Sequence, residues 1–304
     1  MLPTLFAMMA CNGDPALCDR RYDQVTYATT HNATAVRRGK YAVRFIANQE
    51  RDVDVQLADG IRALMIDVWH YNGFQNRKKG SIYTCHQECA LGGQPLQRTL
   101  NKIKVFLENH PNEVLSLLIE DHVQPSELMF ELIQAGLAPL LFRKQTLGSS
   151  YQWPTLREMI QLNQRLVVFT ENKTSVEIDS LLPLFKLATE TQFSVKRRVD
   201  LDCQLNRGNS KNSLFVLNHF ITRGTFRRAR NRSLNQMTSL LNRAKECFAQ
   251  TNKIPNFLTV DFYQTGSVVQ ASKLLNRIWA NQSWDKKTPT AEVLREAKQT
   301  VGVF

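Results

Sequence analysis

The sequence has 304 residues, 39 Lys and Arg against 27 Asp and Glu, a formal net charge of +12, and 43% hydrophobic residues. Such a length and composition describe a folded chain with material for a sizeable core and exclude a disordered one. No run of about eighteen apolar residues occurs, so no helix can span a bilayer, while the basic excess suits a polyanionic partner: phospholipid head groups, glycan or nucleic acid.

Residues 1–10, MLPTLFAMMA, are apolar but lack a basic start and are short for a signal peptide; they read as the remnant of one. Cys11 and Cys18 then flank the turn-rich stretch NGDPAL. Runs rich in β-branched and apolar residues follow at 25–30, 61–68, 81–85, 114–120, 166–170, 191–195, 213–218 and 257–262. Several are continuous (LSLLI, LVVF, LFVL), as in strands buried on both faces of a parallel sheet. Helical patterns lie between most of them, at 95–109, 126–137, 156–163, 178–189, 233–249 and 267–279. In the first of these, Leu96, Leu100, Ile103 and Leu107 share one face. No repeat or linker divides the chain, which reads as one domain over 11–282 with a tail at 283–304. Eight strands alternating with helices over roughly 250 residues predict the α/β class and a closed (β/α)8 TIM barrel. A doubly wound open sheet would need a glycine-rich phosphate loop after the first strand, and none is present.

Six cysteines, an even number, point to an oxidising compartment, hence a secreted or extracytoplasmic chain, with fifteen connectivities open. Sequons at Asn172, Asn231 and Asn281 fit secretion; a fourth, Asn32-Ala-Thr34, falls among the candidate site residues.

In a barrel the reacting groups project from the carboxyl ends of the strands. Those ends carry His31-Asn32, Asp67 with Trp69 and His70, Cys85-His86, Glu120-Asp121-His122, Glu171-Asn172-Lys173, Asn218-His219 and Asp261-Phe262-Tyr263. Two histidines on different strands suit general base and general acid work, since imidazole titrates near neutrality. Asn32, Asp67 and Glu120 offer hard oxygen donors suited to Ca²⁺ or Mg²⁺. A divalent ion beside two imidazoles would stabilise charge on phosphoryl oxygen, so phosphodiester cleavage fits this set. No G-x-S-x-G elbow or H-E-x-x-H helix is present.

The stretches CNGDPALCDRRYDQVTYATTHNA, GIRALMIDVW, YTCHQEC, HPNEVLSLLIEDHV, NQRLVVFTENK, SLFVLNHF and PNFLTVDFY together carry a resemblance. The chain resembles the phosphatidylinositol-specific phospholipase C X-domain-like phosphodiesterases, a (β/α)8 superfamily, over 11 to about 279, and within it the secreted, cysteine-containing branch of fungi and plants. The resemblance implies His31 as the general base acting on the inositol 2-hydroxyl, His86 as the general acid for the leaving glycerol oxygen, and Asp261 as the carboxylate that orients a site histidine. It implies Asn32, Asp67 and Glu120 as metal ligands and Lys173 as a phosphate-binding residue; Asn218 and Tyr263, at their strand ends, are expected to contact substrate. It also implies the disulfides Cys11–Cys18, Cys85–Cys89 and Cys203–Cys247. Two positions depart from the family's patterns. Met65 stands where calcium-dependent members have a second acidic ligand, and a thioether is a poor donor to a hard cation. Trp69 stands where metal-independent bacterial members place an arginine.

Basic clusters at Arg37-Arg38-Gly39-Lys40, Arg77-Lys78-Lys79, Lys196-Arg197-Arg198 and 223–232, gathered around one opening, would draw the chain to an anionic lipid surface. The expectation is a monomer acting on an anionic phospholipid or phosphoinositol-containing substrate at a membrane surface, with no sequence-specific nucleic-acid binding. A barrel that has lost catalysis but keeps a basic rim for anionic lipid or glycan is the alternative.

Overall fold

Runs of β-branched and apolar residues form the walls of the fold, because such side chains pack well on a pleated surface. The computed structural model describes residues 9–36, 47–71, 81–86, 89, 93–147, 152–171, 178–222 and 227–280. Its strands are β1 (Tyr27–Thr30), β2 (Ala63–Tyr71), β3 (Ser81–Thr84), β4 (Gln94–Pro95), β5 (Leu115–His122), β6 (Leu166–Thr170), β7 (Leu181–Pro183), β8 (Ala188–Thr191), β9 (Leu205–Arg207), β10 (Leu214–Asn218) and β11 (Phe257–Val260). The helices are α1 (Val53–Ala58), α2 (Leu96–Asn109), α3 (Pro125–Gln134), α4 (Leu156–Gln161), α5 (Leu184–Leu187), α6 (Arg227–Leu234), α7 (Met237–Thr251) and α8 (Val268–Ala280).

The sheet runs β7-β6-β5-β2-β1-β11-β10-β8-β9, with β3 and β4 branching from β2. From β7 to β8 every ladder is parallel, and these eight strands follow chain order around the sheet as in a TIM barrel. They do not close. Among the described residues no ladder joins β7 to β8, so the expected closed barrel is a curled, open sheet. The seam falls where β7 ends in Pro183, which has no N–H to give a ladder.

Three expectations change for related reasons. The helix expected at 178–189 is instead β7, the single turn α5, and β8, because Pro183 cannot sit inside a helix. The strand expected at 191–195 consequently lies earlier, at Ala188–Thr191. The strand expected at 81–85 exists as β3 but is no wall: it pairs antiparallel with the upper part of β2. The helix expected at 233–249 divides into α6 and α7. The break falls at Asn235, whose side chain leaves the helix to donate to the carbonyls of Asp261 and Phe262 at 2.7 and 3.1 Å.

Alternation along the strands separates two cores. Ala63, Met65, Leu118, Val167, Phe169, Val216 and Phe257 face the inside of the curl, with Tyr22, Tyr27 and Trp153 filling its lower end. Leu64, Ile66, Leu117, Ile119, Val168 and Leu217 face outward and meet the helices, including Leu100, Ile103 and Leu107 of α2 and Leu274, Leu275 and Ile278 of α8. Disulfides join Cys11 to Cys18, Cys85 to Cys89 and Cys203 to Cys247. Asn231 is wholly buried and its amide nitrogen donates to Ile221 and Arg227 carbonyls, so it cannot carry a glycan; Asn172 and Asn281 lie outside the described residues.

Phe169 sits at the centre of the inner core, its ring 6.2 Å from Trp153 and 5.9 Å from Phe257. Phe169→Ala is expected to cost about 3–5 kcal/mol of unfolding free energy in urea titration, and a loss below about 1 kcal/mol would contradict this packing.

Candidate active site

Most of the parallel strands deliver a functional side chain at or near the carboxyl end, and these residues, with Arg207 of the antiparallel β9, line one cavity of about 250 Å³. Its wall includes His31 and Asn32 after β1, Asp67 of β2, Glu120 of β5, Glu171 after β6, Glu190 of β8, Arg207 of β9 and Asn218 of β10. Met65 and Leu118 lie one inward step below Asp67 and Glu120, and the register sets each pair side by side across β2 and β5.

His86 arrives by a different route. β2 extends to Tyr71, β3 turns back along this extension, and the Cys85 N–H donates to the Asp67 carbonyl at 3.2 Å. The hairpin thus sets the His86 ring with its centroid 6.5 Å from that of His31. Lys173 lies outside the described residues. Tyr263 is directed elsewhere: Phe262 has a positive φ of 51°, and the Tyr263 hydroxyl donates to Asp59 at 2.6 Å, away from the cavity wall. Its expected contact with substrate is therefore withdrawn.

The His31 ring is held at one edge and on one face. Its Nδ1–H donates to Asp261 Oδ1 at 2.8 Å, which leaves Nε2 as the proton acceptor. Phe220 stacks on its face, with centroids 4.0 Å apart and planes 7° from parallel. The Asp261 side chain has no exposed surface, so its charge needs partners from the protein. Asn48 Nδ2 supplies one to each carboxylate oxygen at 2.9 and 3.0 Å, and Arg227 adds an ion pair to Oδ2 at 3.3 Å. The next residue, Gln49, donates to the carbonyls of His31 and Val260, tying together the ends of β1 and β11.

The opposite wall is acidic. Burial, and then the charges of Glu120 and Glu171, push the Asp67 carboxyl well above the usual carboxylate range. Burial raises Glu171 to about 7; Arg207 counteracts this, while Glu190 and Glu120 add to it. Arg207 spans the seam of the sheet, paired with Glu190 of β8 and with Glu171 after β6 at 2.6 Å, its guanidinium lying over the rings of Phe185 and Phe193.

In kind this wall suits a hard divalent cation. Asn32 commits its amide nitrogen to Asn48 and keeps its oxygen as a donor, beside the Asp67 and Glu120 carboxylates. In number the donors are few. No group of three or more His, Cys, Asp or Glu side chains able to hold one metal occurs among the described residues, Met65 adds no hard donor, and Glu120 also accepts from His122 at 2.8 Å. An ion held there would draw the rest of its shell from water.

The family model PI-PLC X 1 matches residues 17–276. The chain belongs to the PI-PLC X family. It is 30% identical, over 89% of its length, to an uncharacterized secreted protein of Arthroderma benhamiae, and spans 65% of that relative. It is 27% identical to PI-PLC X domain-containing protein 1 of the same organism, over 90% of this chain and 92% of the relative. The fold matches phosphatidylinositol-specific phospholipase C from Listeria monocytogenes with a TM-score of 0.54 at 16% identity, over 84% of this chain and 95% of that one. At such identity the likeness speaks for the fold.

In this PI-PLC X chain the other strand-end histidines have structural partners. His219 is buried, its Nε2–H donates to the Leu234 carbonyl at 3.0 Å, and burial pushes its pKa down to about 4. His122 stacks on Trp69 at 3.4 Å, and His70 pairs with Glu127 at 3.1 Å. Trp69 therefore brings no charge to the site, whereas Arg207 does.

Carboxyl-detected NMR should find Glu171 titrating near 7 rather than near the ordinary 4.5. Arg207→Met should drive it higher, because the guanidinium favours the ionised form. A carboxyl raised in the folded state stabilises the fold below its unfolded pKa, and this contribution is lost as pH rises through 7. A Glu171 signal titrating in the ordinary carboxylate range would refute the environment described.

Proposed function

We propose that this chain is a phosphoric diester hydrolase that cleaves a phosphoinositol lipid or a related phosphodiester. The observation that carries the reading is the pair His31 and His86, with ring centroids 6.5 Å apart and Asp261 behind the first. His31 Nε2 accepts the proton of the inositol 2-hydroxyl as that oxygen forms its bond to phosphorus. The bond from phosphorus to the glycerol oxygen breaks, and His86 gives that oxygen its proton, leaving diacylglycerol and a cyclic inositol phosphate. Asp261 keeps the proton on Nδ1 and stabilises the imidazolium formed in the first transfer. The carboxylates of Asp67, Glu120, Glu171 and Glu190, with the amide of Asn218, offer acceptors to a ring of hydroxyl groups.

Asn32, Asp67 and Glu120 would hold a divalent cation, which when bound neutralises developing phosphoryl charge. Lys173 is assigned to the phosphate on the family resemblance. A relative named as secreted and a full set of paired cysteines among the described residues support an extracytoplasmic site of action, at a membrane surface that presents the lipid.

The binding-module reading draws on Met65 and Trp69, which supply neither a hard ligand nor a charge. Both readings are tested by incubating wild type, His31→Ala and His86→Ala with phosphatidylinositol vesicles and measuring released inositol phosphate. Each substitution is expected to lower turnover about 10²–10⁴-fold. Equal release from all three proteins, or none from wild type, would overturn the enzymatic reading for this lipid.

A further inference from the structure

Between β8 and β9 the chain makes an excursion, residues 192–204, at the carboxyl ends of the strands, and its first part borders the cavity through Phe193. Within it Lys196, Arg197 and Arg198 are exposed, followed by Val199, which is 81% exposed, while Phe193 is 40% exposed.

This exposure is not that of a loose loop. Thr222 donates its N–H to the Val195 carbonyl at 3.0 Å and its hydroxyl to the Phe193 carbonyl at 2.6 Å. Asp200 caps the 3₁₀ turn Arg198–Asp200 by accepting from the Arg197 backbone and guanidinium. The largely buried Arg243 of α7 donates to the carbonyls of Leu201 and Asp202, and the Cys203–Cys247 disulfide anchors the far side to the same helix. A braced turn that holds a valine out into water beside three basic side chains is preorganised for a medium that is apolar within and anionic at its surface.

We infer that the 192–204 excursion is the element by which this chain docks on an anionic phospholipid bilayer, Val199 entering the head-group boundary and Lys196 and Arg198 meeting lipid phosphates. Docking there sets the mouth of the cavity against the membrane, because both lie at the same end of the sheet. The inference extends the function proposed above, but its test needs no turnover, so either can fail alone.

The experiment compares binding to phosphatidylcholine vesicles with and without phosphatidylserine, at low and high salt. Wild type is expected to bind the anionic vesicles and to be released by salt. A Lys196→Glu/Arg198→Glu double variant should lose at least about tenfold in partitioning, given about fivefold for each basic residue near such a surface. Val199→Trp should show a blue-shifted difference emission on anionic vesicles. Leu162→Trp, at an exposed position before β6 at the opposite end of the sheet, should show none. Wild-type levels of binding by the double variant, equal binding to both vesicles, or a shift at 162 rather than 199 would overturn the inference. So would retention on heparin without vesicle binding, which would assign the basic turn to a glycan.

Discussion

A carboxylate with no exposed surface sits behind His31, and much of the rim is arranged to keep it charged. Burying an ion is costly unless hydrogen bonds and opposite charge replace its water. Asp261 obtains them from Asn48, His31 and Arg227, three segments far apart in sequence. Satisfying one charge therefore fixes the end of β1, residues 47–49 and the start of α6 around the end of β11. Gln49 and Asn235 hold the backbone of the same junction, so the orientation of the imidazole is a property of the whole rim.

Across the cavity the electrostatic problem has the opposite sign. Four carboxylates and one guanidinium share the wall, and the raised pKa of Glu171 shows that Arg207 does not offset burial and its acidic neighbours. Arg207 is also structural, since its ion pair with Glu171 crosses the place where β7 and β8 fail to meet, while Glu190 holds it on the β8 side. The same side chain thus ties the sheet together and sets the charge of the wall.

Much of this was legible from residue order. β6 and β10 read clearly because apolar, β-branched stretches lie between polar breaks, and His31, Asp67, Glu120 and Asp261 stood out because parallel strands expose their carboxyl ends. Residues whose position depends on chain reversals were not legible. Arg207 lies on β9, an antiparallel strand with no counterpart in a regular wall. Glu190 was hidden in a stretch whose apolar spacing also suits a helix, with Pro183 the one signal against it. Asn48 and Phe220 act through tertiary contacts that no local pattern announces. Tyr263 misled because a left-handed residue at Phe262 turns the chain away from the cavity.

The seam between β7 and β8 has a further consequence. A sheet that stays open keeps edges, and unpaired edges invite strands of other molecules, the route to aggregation. Here β7 and β9, which end the main path of the sheet, are each three residues long. Pro183 removes a donor from the first, and the charged Arg207 closes the second, followed by Gly208, where an added Cβ would lie 2.2 Å from the Ala188 carbonyl oxygen. The opening that gives Arg207 its place is thereby kept too short and too polar to template another chain.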